Sequence, residues 1–118
     1  VIERGGRILI ARRRAGGHLG GLWEFPGGKR QAGEAPEAAL VREIREELDA
    51  VVAVGELLED VRWTYPEKTV RLRFYRCTVA GEPRAAEGQE IAWVSPSELG
   101  GFEFPPADAG LVSRLRRG

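Results

Sequence analysis

"GGKRQAGEAPEAALVREIREELDA", residues 27–50, decides how the rest of the chain is read. Pro36 suits the first turn of a helix, where its missing N–H leaves no hydrogen bond unmade. From there Leu40, Val41, Ile44 and Leu48 recur at helical spacing, which predicts an amphipathic helix running to about Leu48. At about 100° per residue, Glu43, Glu46 and Glu47 stand at i, i+3 and i+4 and project from one face, beside the apolar stripe. Like charges placed so repel one another. A divalent cation would relieve that repulsion, because hard cations take oxygen ligands at short separation. The competing reading is a solvated charged face. Arg42 and Arg45 interleave with the glutamates, and an Arg42–Glu46 pair contributes only about 0.2–0.5 kcal/mol. The preceding loop favours the first reading. Gly27-Gly28 lets the backbone approach a ligand closely, and Glu34 can reach back to Arg42 and fix the loop against the helix.

Outside this stretch the pattern turns to strands. Residues 1–3 and 7–13 read as a hairpin around "RGG". "LWEF" (22–25) is a short strand stopped by Pro26-Gly27-Gly28. Residues 51–65 and 69–79 flank "PEK", a hairpin turn, and in the second of them Val70, Leu72 and Phe74 alternate with Arg71, Arg73 and Tyr75. A further strand is expected at 90–94 and a helix start at "SPSEL" (95–99). A last helix runs from an Asp108 cap through Arg117, with Leu111, Val112 and Leu115 on its apolar side. The order strands, helix, strands, helix predicts an α+β domain around one mixed sheet.

The 118 residues fit a single domain, 1–118, with no repeat or linker inside it. The chain has no methionine, and Val1-Ile2 reads as a strand already under way, so a short N-terminal piece is expected to be missing. Eighteen basic and eighteen acidic side chains cancel, which argues against a dedicated nucleic-acid binder. One cysteine, Cys77, excludes an intrachain disulfide and reads as a small apolar strand residue. No run reaches the length of a membrane span and no signal peptide is visible, so the cytoplasm is the expected location.

The charged positions of the opening stretch carry a resemblance. Gly28, Glu34 and the run Arg42-Glu43-Ile44-Arg45-Glu46-Glu47 resemble the Nudix box, G-x5-E-x7-R-E-U-x-E-E-x-G-U with U aliphatic. Two terminal positions depart from it: Asp49 replaces the glycine and Ala50 a larger aliphatic. That glycine normally ends the helix with positive φ, a conformation aspartate tolerates better than most residues. The resemblance covers nearly the whole chain. "LWEFPGGK", "GEP…EGQEIAWV" and "FPPAD" are similar to the MutT-like branch, which hydrolyses nucleoside triphosphates.

That resemblance implies an α/β/α sandwich around a mixed sheet. It implies Mg2+, with Mn2+ as a second candidate, held by Glu43, Glu46, Glu47 and Glu87 with the backbone carbonyl of Gly27. It makes Glu34 and Arg42 a structural salt bridge. It places Arg13 near the nucleobase. Lys29, after the double glycine, is read as a phosphate contact or a plain surface lysine. Catalysis falls to Glu43, Glu46 and Glu87, and these residues leave open which takes the proton of the attacking water.

Base choice is expected at Asp108. Guanine-selective members of the branch have asparagine there, which donates and accepts, whereas a carboxylate only accepts. The expected partner is a small nucleotide, with no nucleic acid and no membrane, acting on a monomer, a dimer being left open. The first function is pyrophosphohydrolysis of a (deoxy)nucleoside triphosphate such as 8-oxo-dGTP. The alternatives are a Nudix hydrolase of CTP, modified dCTP or another nucleoside diphosphate-X compound, and a non-catalytic Nudix-like recognition module.

Overall fold

The computed structural model describes residues 1–12, 20–27 and 33–118. Strand β1 (Glu3–Arg4) pairs antiparallel with β2 (Arg7–Arg12), Arg4 opposite Arg7. Between them Gly5 and Gly6 take φ of 58° and 77°. Two central residues with positive φ make the tight hairpin turn that glycine permits without strain. β2 is the hub of this sheet. It pairs with β1 and β3 (Trp23–Glu24) on one edge and with β6 (Ile91–Val94) on the other, always antiparallel.

The remaining strands, β4 (Val51–Thr64) and β5 (Thr69–Ala80), form a separate two-stranded ribbon. The single mixed sheet expected from the sequence is therefore two sheets. They meet at one parallel bridge, Ile2 with Cys77, where the Cys77 N–H donates to the Val1 carbonyl at 2.7 Å. The β4–β5 register shifts twice, between Val54 and Leu57 and between Leu57 and Glu59. Such irregularities bend a strand and increase its twist. The clean wet and dry faces expected of β5 are also absent. Phe74 packs into one core, Tyr75 and Val79 into another, and Val70 and Leu72 are half-buried.

Helix α1 (Pro36–Leu48) lies on one face of the β2 sheet and α2 (Ala109–Arg117) on the other. Strand alternation builds the two layers. Leu9 points to α1 and packs with Ile44 and Leu48, while Ile8 and Ile10 point to α2 and pack with Leu111 and Leu115. The apolar stripe of α1 is narrower than its sequence implies, because Val41 sits at the margin and is exposed. "SPSEL" begins a 3-10 turn, Pro96–Gly101, in which the Glu98 carboxylate accepts the Ser95 N–H at 2.7 Å.

A second 3-10 turn, Pro106–Asp108, leads directly into α2. Asp108 occupies the cap position, yet its side chain makes no capping hydrogen bond. It already has helical φ and ψ of −91° and −4°, so the capping role expected of its carboxylate is corrected. A capping residue must be extended for its oxygen to reach the first free N–H groups. No helix among the described residues is long and apolar enough to cross a membrane.

Candidate active site

Helix α1 presents its glutamates toward the edge of the sheet that carries β3. Trp23 and Phe25 are buried in the α2 layer, so the residue between them faces the α1 side. That residue is Glu24. Its charge acts on Glu47 more strongly than that of any other carboxylate, ahead of Glu43, Glu87 and Glu46. Four acidic groups from three parts of the chain thus act on a fifth.

Glu47 bears the consequence. Its Oε2 is buried and has no hydrogen-bond partner among the described residues. Burial first, then the carboxylates of Glu24, Glu43, Glu87 and Glu46, push its pKa up to about 8. An anionic oxygen without a donor in such a place is costly, and a cation is what would compensate it.

Glu43 and Glu46 meet a cationic side chain of the helix. The Arg42 guanidinium grips Glu34 through two parallel bonds, Nε to Oε2 at 2.7 Å and Nη2 to Oε1 at 3.1 Å. Its remaining nitrogen, Nη1, donates to Glu43 at 2.9 Å and to Glu46 at 3.3 Å. These carboxylates raise the guanidinium pKa above its ordinary value, Glu34 first. One cation thus joins the loop glutamate to two of the helix glutamates. No three carboxylates among the described residues converge into a finished coordination sphere. The donor set still fits a hard divalent ion, which takes a few carboxylates and completes its shell with water and phosphate oxygens.

The carboxyl end of α1 is shaped by the loop that carries Glu87. Asp49 ends the helix in the left-handed conformation, φ 49° and ψ 44°, its N–H bonded to the Arg45 carbonyl at 3.1 Å. The Asp49 carboxylate then pairs with Arg84 at 2.6 Å. At the other end of the site Gly27 has φ of 153°, and a Cβ there would meet Leu40 Cδ1 at 3.0 Å. Gly27→Ala is therefore expected to cost about 1–3 kcal/mol, read as a lower melting temperature. An unchanged melting temperature would show that the loop tolerates a side chain.

Gly28, Arg13, Lys29 and His18 lie outside the described residues. Asp108 is within them and is buried, 5% exposed. Two surface hollows of about 370 and 330 Å3 lie away from the acidic cluster, around Arg117 and Arg76 respectively.

The NUDIX domain family matches residues 1–114. The chain belongs to the Nudix family of hydrolases. The 8-oxo-dGTP diphosphatase of Haemophilus influenzae is 43% identical over 111 residues, which cover 93% of this chain and 82% of that protein. The CTP pyrophosphohydrolase of Escherichia coli is 38% identical over 113 residues, 95% of this chain and 84% of that one. The solution structure of the E. coli ORF135 protein superposes with a TM-score of 0.84 at 38% identity, covering 96% of this chain and 81% of that one. The α+β architecture is the Nudix fold. Glu24 is absent from the charged positions of the Nudix box, so the motif does not point to it. The signal that places it is the alternation in "WEF", where two buried aromatics force the glutamate between them onto the face of the Nudix helix.

Proposed function

We propose that this Nudix hydrolase splits a (deoxy)nucleoside triphosphate into the monophosphate and pyrophosphate. Mg2+, or Mn2+ in its place, would be held by Glu43, Glu46, Glu47 and Glu87 with the Gly27 carbonyl. The observation that carries this reading is the buried Oε2 of Glu47, which has no hydrogen-bond partner among the described residues and feels four other carboxylates. A bound divalent cation would neutralise the phosphates, make water more acidic and stabilise the leaving oxygen.

The protein groups have separate tasks. Arg42 and Glu34 tie the segment just before the helix to α1, and the helix glutamates and the Gly27 carbonyl would reach one cation. A water oxygen bonds to an inner phosphorus, and the bridging P–O bond breaks with its electron pair going to the departing oxygen. The proton of the water passes to a carboxylate, for which Glu43, Glu46 and Glu87 are the candidates. Arg13 is assigned to the nucleobase on the resemblance alone, and Lys29, on its place after the double glycine, to the phosphates.

A second substrate reading is favoured by Asp108. An ionised carboxylate accepts hydrogen bonds and does not donate, and buried Asp108 would so suit the exocyclic amino group of cytosine or adenine, or the N1-H/N2-H edge of guanine. Both a relative named for 8-oxo-dGTP and one named for CTP share more than a third of the sequence. One panel decides. The chain is incubated with Mg2+ and normal, oxidised and methylated triphosphates, together with dinucleotide and sugar diphosphates, and kcat/KM is compared. Pyrophosphate release from at least one triphosphate is expected. Asp108→Asn is expected to shift the guanine-to-cytosine preference by about tenfold or more toward guanine. Release from no compound would overturn hydrolysis and leave a recognition module.

A further inference from the structure

Gln89 is a half-buried amide in the loop between β5 and β6, and it makes two bonds that bear on the acidic cluster. Its Nε2 donates to the backbone carbonyl of Glu47 at 2.9 Å. Its Oε1 accepts the backbone N–H of Glu87 at 3.0 Å. The orientation of the amide follows from its partners, because a carbonyl needs a donor and an N–H needs an acceptor. Only a side chain that offers both, at this reach, joins the two backbones.

The surrounding contacts share the same direction. A helix leaves its last carbonyls without partners inside the helix. Here the loop supplies them: the Arg84 N–H donates to the Leu48 carbonyl at 2.8 Å and the Ala86 N–H to the Glu47 carbonyl at 3.1 Å. Outside them lies the Asp49–Arg84 ion pair, with side chains 46% and 74% exposed, too solvated to fix geometry alone. Termination of α1 and placement of the Glu87 loop are thus one set of hydrogen bonds. Gln89 joins this set through its side chain and touches Glu87 itself.

We propose that Gln89 is a positioning residue that staples Glu87 to Glu47, so that two carboxylates from distant parts of the chain bind one cation together. This rests on the proposed cation site. Gln89→Met removes both bonds at similar volume, and Gln89→Glu keeps the acceptor while turning an oxygen toward the Glu47 carbonyl. Mn2+ binding to the whole chain is followed by water-proton relaxation, and amide exchange is followed without metal.

Both variants are expected to bind Mn2+ about 10-fold to 100-fold more weakly. In metal-free Gln89→Met the Glu87 amide exchanges faster while those of Leu9 and Ile44 do not. High Mn2+ restores turnover in both variants. The double variant Gln89→Met with Glu87→Gln binds Mn2+ no more weakly than Glu87→Gln alone, because the staple acts through Glu87. Additive losses in the double variant, or Mn2+ binding by Gln89→Met as tight as by the wild type, would overturn the staple. A wild-type chain that takes up no Mn2+ would instead overturn the cation site, and the staple with it.

Discussion

Glu47→Gln is expected to lower turnover by on the order of 10³-fold and to raise the melting temperature of the metal-free protein at pH 8. The two effects have one source. The wild-type Oε2 is buried, has no donor among the described residues and is acted on by four acidic groups. The Glu47 pKa, about 8 in the fold, stands above the ordinary value of 4.5. A carboxyl whose pKa is raised on folding stabilises the fold fully below the unfolded value, and this contribution is lost as pH climbs through the folded one. Metal-free wild type should therefore lose stability between about pH 4.5 and pH 8. Glutamine carries no charge, so the variant's profile should be flatter, with a gain of about 5 °C at pH 8 that shrinks toward pH 5. Thermal melts in chelator across that range, beside turnover with Mg2+, check both halves. A variant less stable than wild type at pH 8 would show that the empty site does not strain the fold.

Arg42→Ala is the second large effect, and it falls on function and fold together. One guanidinium binds Glu34 at two points and also reaches Glu43 and Glu46. Its removal leaves Glu34 without its half-buried bidentate partner and releases the two helix carboxylates to repel their neighbours. Activity should fall by about 10-fold to 100-fold, as when groups that orient metal ligands are lost, with a lower melting temperature. Arg42→Lys should recover little, because an ammonium cannot form the planar two-point contact. Wild-type turnover in Arg42→Lys would mean that charge alone suffices at this position.

What the sequence made legible was what is written locally. Pro36, the 3.6-residue apolar period and the fixed glutamate spacing all sit within one helix, so its bounds and its charged face could be read without a partner. Long-range placement was harder. The β4–β5 ribbon carries two register shifts that composition does not mark. The burial of Asp108 depends on a 3-10 turn whose helical backbone also removes it from capping. Glu24 and Gln89 lie outside the charged positions of the motif. Their roles come from which face of β3 meets α1 and from which carbonyls α1 leaves open, and both are decided by packing between segments far apart in the chain.

The double-sided burial of β2 sets up two regions of the molecule. Leu9 belongs to the layer beneath the glutamates, whereas Ile8 and Ile10 belong to the layer beneath α2. The two layers share this strand, and β4, β5 and β6 also send side chains into both. A substitution among Leu99, Leu111 and Leu115 acts first on the α2 layer, which also holds Trp23 and Phe25 on either side of Glu24. One at Ile44 or Leu48 acts directly on the layer beneath the glutamates.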